Sequence, residues 1–263
     1  MERDRAAVLA RHGGSAGAVD GSRLSRARDR ITPAGVFAAL AAATALLYLA
    51  LLLGDTSITW LIREEHPIEL AGAFSLLAAC VACLVLWRRV ADDQRWPRLR
   101  RLSLLALAAL FFFGFGEEIS WGQRIFGIAP PESVEAANSQ GELNVHNLDF
   151  FGSFNSDSLF QVFWLVLGVV VPLTALWLPA RRVLQRFVPI LPLALAPLFV
   201  VNQLLTRGFD ELFAQEPGLW NSSVYTPEFA IFEVKETVAC LLLAAAFWLL
   251  VFGWRREPQA TAA

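Results

Sequence analysis

The feature that most constrains this chain is a set of six separate apolar runs. Each approaches the ~20 residues of helix needed to cross a hydrocarbon core about 30 Å thick. They lie at about 34–53, 68–87, 102–121, 158–180, 187–205 and 230–252. A soluble chain of 263 residues could not hide so much apolar surface, with 56% of its residues hydrophobic and only 17% charged. The expected fold class is therefore an all-α integral membrane protein. A six-helix transmembrane domain over 31–256 would lie between a disordered cytoplasmic tail at 1–30, rich in Arg, Gly, Ser and Asp, and a short tail at 257–263. The fifth run carries Pro189, Pro192 and Pro197 and is expected to be kinked. The first run is too long, and too poor in a small-residue cleavage site, for a cleaved signal peptide, so it reads as a retained anchor.

Arginine placement sets the direction of threading, because inner loops carry the excess of basic residues. With the N-terminus inside, eighteen arginines fall on the inner side, against Arg63, Arg124 and Arg207 outside. Both termini are then cytoplasmic. Seventeen of the 24 acids fall on the outer side. Lys235 is the only lysine, a bias that, with the alanine-rich stretches, points to a GC-rich bacterial genome and a place in the bacterial inner membrane. Cys80 and Cys83 have redox or zinc spacing, but they sit with Cys240 in apolar runs and read as packing residues.

Acidic outer loops follow from charge bias, but acids within spans do not. Ionisable residues inside membrane helices face the bundle or a wet cavity and are candidates for function. The third run ends in FFFGFGEEISWGQRIF, residues 111–126. If one helix covers 102–121, Glu117 and Glu118 sit about a turn below its outer end. Gly114, Glu118 and Gly122 would share a face at four-residue spacing, a track that admits a close helix neighbour and turns Glu118 into the bundle. Glu117 would look along Ser120, Trp121 and Arg124 at +3, +4 and +7. In the last run, Glu233 and Glu236 share a face near the helix start, where acids also suit the helix dipole. Lys235 lies off that face, placed to snorkel outward or to neutralise an acid. The long outer loop at about 122–157 is expected to hold short interfacial helices, with Asn144, His146 and Asn147 at its polar centre. His66 and Glu69 begin the second run, and Asn202 and Gln203 close the fifth.

Glu117, Glu118, His146, Glu233 and Glu236 together are the candidate catalytic set, and Trp121, Gln123, Arg124, Asn144 and Asn147 the candidate substrate contacts. Carboxylates with one histidine offer the donors for a divalent metal, here Glu118, His146, Glu233 and Glu236, or without metal a general acid and base. The bland reading of each acid alone is an interhelical hydrogen bond. No HExxH, ExxH or nucleophile elbow is present. The EE pair invites comparison with CAAX-processing membrane proteases, but Gly122 stands where their EExxxR motif needs arginine. Ceramidase-like hydrolases need more histidines than this outer side holds.

GEEISWGQRIFG at 116–127 and the N-x-Q-x-E-x-N-x-H-N string from Asn138 to Asn147, with the glutamates of the last run, resemble a group of bacterial multi-pass membrane proteins. The resemblance covers roughly the central and C-terminal two thirds. It implies a multi-pass fold and these candidate residues, and brings no activity with it. The leading expectation is a membrane-embedded hydrolase or transferase acting on an envelope lipid or lipid-linked substrate. A proton- or cation-coupled transporter and a non-catalytic envelope assembly factor are the alternatives. The expected partners are the bilayer and such a substrate, not nucleic acid.

Overall fold

The structure is a computed structural model that describes residues 33–53, 55–62, 67–132, 143, 156–222 and 224–253. The two tails expected from the sequence lie outside the described residues. No strand occurs among the described residues. Helix is what apolar segments of this length must form in lipid, since no water is present to satisfy the backbone.

In chain order the helices are α1 (Pro33–Ala50), α2 (Asp55–Ile62), α3 (Pro67–Arg89), α4 (Arg98–Glu118) and the short α5 (Gln123–Phe126). After these come α6 (Ser156–Leu165), a π-helical segment (Val166–Val170), α7 (Val171–Thr174), α8 (Leu178–Phe187), α9 (Ala196–Gln215) and α10 (Pro227–Gly253). Three of them, α3, α4 and α10, are long and apolar enough to cross a membrane, while Ala34–Ala50 and Ser158–Thr174 are shorter apolar stretches.

The core is built around α3 and α10, with α4 against α3 and α9 against α10. At one end, Thr237 Oγ1 donates to the Ile68 carbonyl at 2.9 Å. At the other, Arg89 Nη1 donates to the Val251 carbonyl at 2.8 Å. Both contacts advance together along the chain, so α3 and α10 run parallel. α4 runs antiparallel to them: a Cβ added at Gly114 would lie 3.1 Å from Leu76 Cδ1, and the Phe111 and Phe247 rings meet edge-on at 5.4 Å. Gly114 thus faces a close neighbour, as the glycine spacing predicts.

Two runs differ from the sequence expectation. The fourth does not continue to residue 180. Its helix loosens into the π segment, where Gly168 lets the Phe199 ring come within 2.6 Å of the position a Cβ would take. Trp164 stacks on the same ring at 5.8 Å. The helix stops at Thr174, and a separate helix, α8, follows. The fifth run is displaced. Val188–Pro192 is non-helical, because Pro189 and Pro192 lack the amide proton and bias the residues before them towards extended backbone. Helix α9 starts only at Ala196, with Pro197 in its tolerant first turn, and runs ten residues past the predicted end at 205.

Candidate functional site at the C-terminal end of helix α4

Helix α4 ends at Glu118, three residues earlier than the apolar pattern suggests. Ser120 (φ 45°), Trp121 (φ 53°) and Gly122 (φ 77°) then take left-handed conformations in succession. Only glycine adopts that region freely; each of the other two costs about 1–2 kcal/mol. Strain of this kind persists where surrounding contacts hold it. Here the holding contact is the Trp121 side chain, which folds back over the helix it has just left. A Cβ at Gly116 would lie 2.7 Å from that indole, so glycine there makes the seat. Phe113 and Phe112 meet the ring edge-on at 5.6 and 6.4 Å. Within this seat Trp121 Nε1 donates to Glu117 Oε1 at 2.7 Å. The corner is joined to the long loop where the Leu143 amide donates to Gln123 Oε1, also at 2.7 Å.

This corrects the sequence reading of the two acids. The stripe expected at +3, +4 and +7 from Glu117 needs a continuing helix, and none continues. Trp121 reaches Glu117 by a reversal of the chain instead. Gly122 leaves the face it was expected to share with Gly114 and Glu118, and serves as the left-handed residue before α5. The burial order is also reversed, with Glu117 5% exposed and Glu118 half-buried.

Glu118 nevertheless lies at the level of a defined turn of the last helix. Phe111 on α4 lies beside Phe247 on α10, and the helices are antiparallel. Seven residues on from Phe111 and seven back from Phe247 put Glu118 level with Cys240, at 1.5 Å of rise per residue. The charges of Glu118 and Glu236 both act on the buried Cys240 thiol. Glu236 and Glu233 are half-buried in the N-terminal half of α10. Lys235 between them does not snorkel to the surface. It is 7% exposed, with Nζ over the Phe232 ring at 4.3 Å from its centroid. Its charge and that of Glu228 act on Asp210 of α9.

Behind this end lies a neutral polar group that the sequence reading missed. Tyr48 of α1 inserts its hydroxyl between Asn202 Oδ1 and Thr206 Oγ1, each at 2.8 Å, with the Asn202 carbonyl at 3.0 Å. Asn202 Nδ2 donates to the Lys235 carbonyl at 2.9 Å, which fixes the amide orientation. The two hydroxyl protons then have a consistent assignment: Tyr48 donates to Asn202 Oδ1, and Thr206 donates to the Asn202 carbonyl at 3.0 Å. All three side chains are buried, and the group ties α1, α9 and α10 together. Asn202 was visible in the sequence as the end of a span, but it sits near the middle of α9 because that helix is displaced. Tyr48, one of only two tyrosines, is the residue in the sequence that signals this group.

His66, His146, Asn144, Asn147 and the side chain of Arg124 lie outside the described residues. Among the described residues, no three His, Cys, Asp or Glu side chains come together as a metal-holding group. Of the candidate set, the structure therefore brings Glu117 to Trp121, and puts Glu118 level with Cys240, about one turn along α10 from Glu236. No family model, curated protein or solved structure matches this chain.

Proposed function

We propose that the chain is a multi-pass protein of the bacterial inner membrane, with six spans and both termini cytoplasmic. The parallel pairing of α3 with α10, and the antiparallel α4, is the alternation that a second, a sixth and a third span require. On this reading the end bearing Glu117, Glu118, Glu233 and Glu236 faces outward at the lipid–water interface. The activity we favour is hydrolysis or group transfer on an envelope lipid or lipid-linked substrate.

The observation that carries this reading is the corner itself: a buried carboxylate, hydrogen-bonded by an indole on strained backbone, beside a half-buried second carboxylate. Such strain concentrates at functional sites. Glu117 or Glu118 would serve as acid and base, with Glu233, Glu236 and His146 completing the set. If a divalent metal is held, Glu118, Glu236, Glu233 and His146 are its donors, and it would polarise an ester or phosphoryl oxygen. Trp121, Gln123, Arg124, Asn144 and Asn147 would line the entrance.

The test is turnover of envelope lipid extract in mixed micelles by wild type, Glu117→Gln and Glu118→Gln, with metal content measured in parallel and in His146→Ala. Product formation by wild type alone is expected. A folded wild type that turns over no lipid, with or without added divalent metal, removes the enzyme reading. A second reading, a proton- or cation-coupled carrier, draws on the break at Val188–Leu195 and the π segment at Val166–Val170, since carriers place interrupted helices at their sites. Ion flux in proteoliposomes that disappears in Glu236→Gln would decide for it.

A further inference from the structure

The opposite end of the molecule carries a second chemistry. Helix α8, Leu178–Phe187, has Pro179, Ala180, Val183, Leu184 and Phe187 along one face, and Arg181, Arg182 and Arg186 on the other. None of its residues is buried, and Val183 and Phe187 are 54% and 48% exposed. Among the described residues, nothing buries this apolar face. A helix with arginines on one side and an open apolar stripe on the other is stable lying in the plane of a membrane interface.

α8 packs against α4, whose first turn brings further arginines. Arg100 lies over the Trp96 ring, its guanidinium carbon 3.7 Å from the centroid, and the charge of Arg181 acts on it. Asp93 is the acid whose charge acts on Arg100, and Arg95 grips that carboxylate with Nε at 2.9 Å from Oδ1 and Nη2 at 2.8 Å from Oδ2. Arg101 turns Nη1 to the Ala91 carbonyl. Among the described residues, the Nε–H groups of Arg100 and Arg101 are buried and have no hydrogen-bond partner. Buried donors without acceptors are rare and costly, more so on a charged group. The charges of Arg100 and Arg181 repel each other where α8 packs on α4, so an anion with several acceptor oxygens seated beside them relieves that repulsion.

We infer that α8 and the first turn of α4 form a seat for an acidic phospholipid, its phosphate held by Arg100, Arg101 and Arg181 and its acyl chains against the stripe of Val183 and Phe187. The uncovered stripe beside the arginines selects a lipid over free phosphate, since phosphate alone leaves that stripe in water. This inference rests on the membrane placement proposed above and not on the activity at the other end.

The test uses the full chain, extracted from membranes in detergent and delipidated, with native mass spectrometry after addition of phosphatidylglycerol or phosphatidylcholine. The wild type should retain phosphatidylglycerol in preference. The preference should fall about fivefold for each arginine removed in Arg181→Gln and in Arg100→Gln/Arg181→Gln. The single variant alters an exposed side chain, so it reports even if the double variant unfolds. Equal retention of the two lipids, an unchanged preference in folded Arg181→Gln, or displacement of phosphatidylglycerol by inorganic phosphate at equal concentration would each overturn the inference. A chain found in the soluble fraction without detergent would instead remove the membrane placement, a different failure.

Discussion

Two polar groups flank the N-terminal half of α10, and they are built on opposite plans. The Tyr48–Asn202–Thr206 group is neutral, sits on helix interiors, and closes on itself: its hydroxyls and amide meet one another and one carbonyl of α10. The corner after α4 holds carboxylates, sits where a helix ends, and needs two residues in unfavourable backbone conformations. A polar residue within a membrane helix is therefore not in itself a sign of function. Closed neutral networks of this kind glue helices together. At the corner the carboxylates end a regular helix and the strain falls on Ser120 and Trp121, which bring the indole back onto Glu117.

That contrast can be broken by substitution. The largest loss should come from Asn202→Leu, which removes the Oδ1 acceptor of Tyr48 and the tie to the Lys235 carbonyl, and puts a branched apolar side chain into a fully buried polar site. About 3 kcal/mol of stability should go, read as a lowered thermal midpoint in detergent, with activity per folded molecule retained. Gly116→Ala comes next, at about 2 kcal/mol, since its methyl group overlaps the Trp121 ring. Fluorotryptophan NMR should show the Trp121 resonance move, whereas an unchanged resonance would mean that the indole is not seated there. The smallest effect on stability belongs to Glu117→Gln, below about 1 kcal/mol, because the amide oxygen still accepts from Trp121 Nε1. Its effect on activity should be the largest of the three. Should Glu117→Gln lower stability as much as Asn202→Leu while leaving activity intact, the two groups would share one structural role and the contrast would fail.

The sequence displayed the two regions unequally. Apolar length made α3, α4 and α10 legible to within a few residues at most ends, because a hydrocarbon core imposes one requirement on every span. Pro189, Pro192 and Pro197 flagged an irregular fifth run, but not that the helix would restart at Ala196 and carry Asn202 and Thr206 into its middle. Proline marks where helix is denied, and tertiary packing decides where it resumes. At the corner, the residues Glu117, Glu118 and Trp121 stood out, but their relation was misread. Counting +3 and +4 assumes that the helix continues, whereas the chain reverses through Ser120, Trp121 and Gly122. A glycine four places after Glu118 fits a helix face as well as a left-handed turn, and periodicity cannot separate the two. Of the two places the sequence leaves open for Lys235, the surface or beside an acid, the structure excludes the first: the side chain is buried with Nζ over the Phe232 ring, and its charge acts on Asp210.

The central claim is that the corner faces outward and the arginine-bearing helix α8 faces the cytoplasm. Substituted-cysteine labelling tests it most directly, and the native Cys80, Cys83 and Cys240 are buried, which keeps the background low. Ile128→Cys, just beyond α5, and Arg182→Cys, on α8, both replace exposed side chains. In intact cells or right-side-out vesicles, an impermeant maleimide should label position 128 at once and position 182 only after permeabilisation. Labelling of 182 from outside, or of both positions from the same side, would contradict the account.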